Sequence, residues 1–133
     1  MLVAAIRSPA GASMALLDLA LSGKFEALVS TALVLEYEAV LTRDEHLRVS
    51  ELMVTDVERT LDAICRTAIE VKIRWHWRPQ LHDQNDEMVL EAAINGHAEA
   101  IITFNRADFE GGAKRFGIAV ISPSEALERV ELQ

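Results

Sequence analysis

The stretch His82–Phe109, HDQNDEMVLEAAINGHAEAIITFNRADF, gathers the residues with the most chemistry in them. Asp83, Asp86 and Glu87 open a predicted helix, which Asn95-Gly96 closes. The apolar run Ala100–Thr103 reads as a strand, and a polar turn with Asn105, Arg106 and Asp108 follows it. In an open α/β sheet, ligands bind at the carboxyl ends of strands and the amino ends of helices. Hard oxygen donors stand here at both kinds of place, which suits a divalent cation.

Periodicity says where these acids point. Successive helical residues advance by about 100°. Asp86 then projects in line with Val89, Leu90 and Ala93, while Glu87 and Glu91 lie off that apolar stripe. A carboxylate on the buried side is costly unless it is paired, hydrogen-bonded or metal-bound. The competing explanation is a plain N-terminal cap, where Asp is common. Asn105 and Asp108 fit ligand positions past a strand, and equally fit turn chemistry, since both residue types bond their own backbone. A second predicted helix, Thr31 to about Leu41, carries Leu33, Val34, Tyr37, Val40 and Leu41 on one face. Glu36 and Glu38 flank that face on opposite edges, so spacing does not choose between them, and a solvated face suits both. Arg7 and Ser8 follow the first apolar run and could meet phosphate, as could Arg106; surface placement is the ordinary fate of each. In Arg74-Trp75-His76-Trp77-Arg78 the aromatics could stack on single-stranded bases, or one Trp could pack beneath a solvated loop.

The elements that must position these residues alternate. Leu2–Ile6 reads as a buried strand, Ser8-Pro9-Ala10-Gly11 as a turn, and Ser13–Leu21 as a helix ended by Ser22-Gly23. Glu26–Val29 is a strand, with Ser30 or Thr31 capping the helix after it. Ser50 to about Arg66 is helical, with Thr55 and Glu58 matching a capping box within it or at a break. Ile69–Ile73 is a third strand; an irregular loop leads to the Asp86–Asn95 helix; Ala100–Thr103 and Gly117–Ile121 are the last strands. Ser122-Pro123-Ser124-Glu125 has the form of a helix start. Apolar strands alternating with helices predict a mainly parallel sheet of about five strands with helices on both faces.

Composition bounds the function. The 133 residues suit one domain. A net charge of −8 argues against broad electrostatic capture of nucleic acid and allows a cation or a basic partner. Cys65 is the single cysteine, so no internal disulfide forms; its apolar surroundings suggest a core position. No apolar run approaches the ~18 residues of a membrane span. The opening lacks a basic region before its apolar run, so a secretion signal is not expected and the cytoplasm is the default compartment. His46, His76, His82 and His97 have no zinc spacing. Dinucleotide, Walker and serine-hydrolase motifs are missing. An aspartate-based phosphotransfer domain would want an acidic pair after the first strand, and Arg7-Ser8-Pro9 offers none.

Taken in order, LVAAIRSPAGAS, LALSGKFEALVSTALVLEYEAVLTR, the His82–Phe109 stretch and GIAVISPSEAL resemble the PIN-domain family, in particular its branch of toxins from toxin–antitoxin pairs. The resemblance covers nearly the whole chain and rests on order and spacing rather than on one motif. It implies a single PIN-like domain over residues 1–133, of three-layer α/β/α build, acting as a metal-dependent ribonuclease with Mg²⁺ or Mn²⁺. It implies metal and catalytic roles for Glu36, Asp86 and Asp108, with Asn105 at a position where many members carry Asp, and it favours Glu36 over Glu38. Asp83 is a neighbouring acid. Thr103, Arg106 and Ser8 would meet the substrate. RNA, an antitoxin protein and a second copy of the chain are the implied partners. The family also carries an Asp, usually in Asp-Thr-Asn, in its first strand. Here the chain begins at Met1 inside that strand, so either the start codon lies further upstream or the site lacks a principal ligand. Weak metal affinity and weak or absent cleavage are therefore expected; a non-catalytic domain that binds RNA or a partner protein is the alternative.

Overall fold

A computed structural model of the chain describes residues 2–7, 20–23, 25–51, 53–76, 80–81 and 83–131. Five strands form one sheet: β1 (Val3–Arg7), β2 (Glu26–Val29), β3 (Ile69–Glu70), β4 (Ala100–Thr103) and β5 (Ala119–Ile121). Their order is β3-β2-β1-β4-β5, and every pairing is parallel. β1 is thus the central strand. It registers Ala4 on Ala100 and Arg7 on Thr103.

Alternation along the strands assigns each residue to a face. Ala5 and Ile101 belong to one apolar core, together with Leu33, Tyr37 and Leu41, with Val57, Leu61 and Ile64, and with Val89, Leu90, Phe109 and Ala113. Ala4, Ile6, Ala100 and Ile102 face a second core with Phe25, Ile121 and Ala126. A sheet buried on both faces explains strands that are apolar throughout rather than alternating. The result is the expected three-layer α/β/α architecture.

Helix Thr31–Leu41 is capped by Ser30, whose Oγ accepts the Leu33 N–H at 3.2 Å. Helix Pro123–Glu131 starts as its sequence predicts, with Ser122 Oγ accepting the Glu125 N–H at 3.2 Å.

Several expectations change. The helical stretch expected from Ser50 starts later, as Val54–Thr67, and an unexpected helix, Asp44–Ser50, precedes it; the two are separated where Glu51 adopts a left-handed backbone (φ 59°). The capping acid of the later helix is Asp56, which accepts the Met53 N–H at 2.9 Å, rather than Glu58. In Val54–Thr67 the buried stripe is Val57, Leu61 and Ile64, so Cys65 turns outward and is exposed, against its expected core position. β3 covers only Ile69–Glu70, because Val71 makes the last bond to β2, to the Val29 carbonyl. The expected polar turn at 105–108 leads directly into a helix, Ala107–Arg115. Gly111 and Gly112 disfavour that helix locally. Phe109 and Ala113, both fully buried, compensate by docking it. A Cβ at Gly112 would stand 2.8 Å from Leu81 Cδ2 and 3.2 Å from Leu90 Cδ2, so the glycine permits the close approach. The expected turn at Ser8–Gly11 and most of the Ser13–Leu21 helix lie outside the described residues. Among the described residues, no helix is long and apolar enough to cross a membrane.

Candidate functional site

Arg7 closes β1 and sits two residues beyond Ala5. Strand alternation therefore points it to the face covered by helix Thr31–Leu41 and helix Gln84–Asn95. Its strand end is fixed twice: by the register of Arg7 on Thr103, and by Tyr37, whose hydroxyl donates to the Ile6 carbonyl at 2.6 Å. Burial raises the Tyr37 hydroxyl's pKa well above its usual value, with the Arg7 charge opposing the shift. The tyrosine therefore acts as a neutral donor.

From that anchored position Arg7 Nε donates to Asp86 Oδ1 at 2.9 Å, and its Nη1 lies 4.0 Å from Glu36 Oε1. Glu36 and Asp86 thus converge on one guanidinium. Their side chains are 15% and 8% exposed, against 21% for Arg7. Glu36 Oε1 is buried and has no hydrogen-bond partner, so the guanidinium charge is its compensation among the described residues. Glu38, the other acid that periodicity left open, is exposed.

Beside Arg7 lies a pocket of about 140 Å³ lined by Arg7, Asp83, Asp86, Thr103, Asn105, Asp108 and Phe109. Asp83 is the cap of helix Gln84–Asn95: its side chain accepts the Asn85 N–H at 2.7 Å. Asp86 is left free of the capping role that was its plain alternative. Thr103 is buried, and its Oγ1 accepts the Asn105 N–H at 3.0 Å, which turns the chain out of β4. Asp108 and Asn105 are exposed at the rim. Arg106 faces elsewhere. Its Nη1 pairs with Glu125 at 2.8 Å and its Nε approaches Glu110 at 4.0 Å; it does not line the pocket. Ser8 lies outside the described residues.

Burial raises the pKa of Asp86 above its ordinary 3.8; the hydrogen bond and charge of Arg7 oppose this, while Asp83 and Asp108 add to it. An acid whose folded pKa is raised holds its proton more readily folded than unfolded. Its contribution to stability is then most favourable below the ordinary value and is lost as pH rises through the raised one. Asp86→Asn removes this dependence. Between about pH 4 and neutrality, the stability of the wild type should therefore fall relative to Asp86→Asn. Urea midpoints of both proteins at a series of pH values check this; a gap that stays flat, or moves in the wild type's favour, refutes it.

Two carboxylates that periodicity placed off the apolar stripe are also buried, Glu87 and Glu91. They hold the preceding loop. Glu87 Oε1 accepts the backbone N–H groups of Gln80 and Leu81, the latter at 2.7 Å, and Glu91 pairs with His76 Nδ1. Asn95 Oδ1 accepts from the backbone of both Arg74 and Trp75 at 3.0 Å. Trp75 is 62% exposed, so it is not the packed anchor of that loop; Trp77 and Arg78 lie outside the described residues.

A family model for the PIN domain matches residues 1–107. The chain belongs to the PIN-domain family. No curated protein matches it. Family membership points to nuclease-type function in general, and PIN domains generally use divalent metal ions. The pocket's own geometry sets a limit on that expectation. Mg²⁺ asks for about six oxygens in near-octahedral array. Here the guanidinium of Arg7 already bonds Asp86 and faces Glu36, and among the described residues no three His, Cys, Asp or Glu side chains are grouped to hold a metal ion. With Arg7 in this position the residues do not fit a divalent cation.

Proposed function

We propose that this PIN domain acts on RNA and is built on the ribonuclease plan, with cleavage weak or absent while Arg7 holds the acids. The observation that carries the reading is the convergence of Glu36 and Asp86, from two separate helices, at the carboxyl end of the central strand. That is where parallel α/β sheets place their ligands. The fuller reading is a Mg²⁺- or Mn²⁺-dependent endoribonuclease of cytoplasmic location, the toxin of a toxin–antitoxin pair, working as a homodimer. Its support is the family and the position of Glu36 and Asp86 about Arg7, with Asp108, Asn105 and Thr103 lining the adjoining pocket. A net charge of −8 suits a basic antitoxin segment. The Arg7–Asp86 bond favours a second reading, a non-catalytic PIN domain that binds RNA or a partner protein.

Labelled single-stranded RNA incubated with the purified chain and Mn²⁺ decides between them. On the ribonuclease reading, slow cleavage appears and Asp86→Asn lowers it by at least about a hundredfold, the scale for removing one electrostatic group from a reacting centre. RNA retention in a gel without cleavage supports the second reading. Neither cleavage nor retention removes RNA as the substrate.

A further inference from the structure

We propose that Arg7 is the resident cation of this pocket, excluding divalent ions from it and making the fold independent of them. The inference deepens the site reading above but rests on the arrangement of three side chains, whether or not RNA is the substrate.

Two carboxylates buried on the same face repel each other and lose hydration; they need positive charge between them. A metal ion is one solution. The geometry here supplies another: a guanidinium that cannot lose its proton, delivered by the central strand itself. Its Nε–H bonds Asp86 and its Nη1 faces the otherwise unpartnered Oε1 of Glu36. Arg7 is not a surface residue that has fallen into a cleft. Its strand end is tied to Tyr37 on one side and registered on Thr103 on the other, and only a fifth of its side chain meets solvent. A divalent ion must therefore break a charge-assisted hydrogen bond and expel a tethered cation before it reaches Asp86. Its apparent affinity falls by the fraction of molecules in which Arg7 has withdrawn.

The test uses metal alone, on the folded chain. Wild-type protein should melt at the same temperature in millimolar Mn²⁺ and in EDTA. Arg7→Met keeps the length and apolar stem of the side chain and removes the charge. It should gain a Mn²⁺-dependent rise in melting temperature, binding Mn²⁺ at least about tenfold more tightly than the wild type by calorimetry. That gain should vanish in Arg7→Met/Asp86→Asn. A wild type that binds Mn²⁺ as tightly as Arg7→Met overturns the proposal, as does a folded Arg7→Met that gains nothing. A second measurement stands on the wild type alone, should the variant not fold. The Arg7 Nε–H resonance should persist unchanged in Mg²⁺ and should not be broadened by Mn²⁺; displacement or broadening at substoichiometric Mn²⁺ overturns it equally. RNA appears in none of these readouts, so loss of the ribonuclease reading and loss of this one are separate results.

Discussion

Phe109→Ala should destabilise the domain by about 3–5 kcal/mol, the range for truncating a buried aromatic. Phe109 is fully buried, among the largest such side chains in the chain, and belongs to the core with Leu90, Ala93, Ile101 and Ala113. The effect should fall at the upper end because the other buried residues of the helix it anchors, Gly112 and Ala113, are small. Ala107–Arg115 carries Gly111 and Gly112, each costing about 1 kcal/mol of helix propensity relative to alanine. A nine-residue helix of that composition does not stand alone in water. Total stability of a domain this size is only about 5–15 kcal/mol, so the variant stands near the edge of folding. Phe109 also lines the pocket beside Arg7, and its loss should loosen Asp108, one residue before it. A urea midpoint that falls with unchanged slope is the expected result. A loss under about 1 kcal/mol would show that the helix is not docked through this ring.

The same helix is among the elements least legible in the sequence. Strands Glu26–Val29 and Ala100–Thr103 were legible because short runs apolar on both faces have few other ways to be buried. Ser30 and Ser122 were legible because an N-cap is a local interaction. Ala107–Arg115 was not, since its stability comes from Phe109 and Ala113 packing on distant residues while its glycines argue for a turn. Asp86 stands out from its place on an apolar stripe, whereas Glu36 and Glu38 are equal by spacing and only the resemblance to PIN domains favours Glu36. Glu87 and Glu91 do not stand out, because what buries them is a loop folding back over the helix, and loop paths leave no periodic trace. In the sequence, Arg7 is a cation that could meet phosphate or solvent. The signal for its role was present but divided: one cation at the carboxyl end of a central strand, and two acids on the helices that flank it. Only the strand order, with β1 between β2 and β4, brings the parts together.

Arg7→Met tests that assembly through stability. Breaking an exposed ion pair costs about 0–1 kcal/mol, and stripping one partner from a buried pair about 3–5 kcal/mol. With Asp86 at 8% and Glu36 at 15% exposure, and Arg7 itself at 21%, the loss at neutral pH should lie between these limits and nearer the second. Methionine retains the apolar contacts of the stem, so the charge is what changes. The pH dependence identifies the cause. Arg7 lowers the pKa of Asp86 against the upward push of burial, Asp83 and Asp108. Without Arg7 the folded pKa of Asp86 rises further. The penalty of the substitution is then fully present above that value and shrinks as pH falls through it, because a protonated Asp86 no longer needs a counter-charge. A purely steric loss would not titrate. Combining Arg7→Met with Asp86→Asn should cost less than the two single losses summed, since the second substitution removes the charge that the first left bare. A double variant whose loss equals that sum, at every pH between acid and neutral, would mean that the guanidinium and the carboxylate are neighbours without being partners.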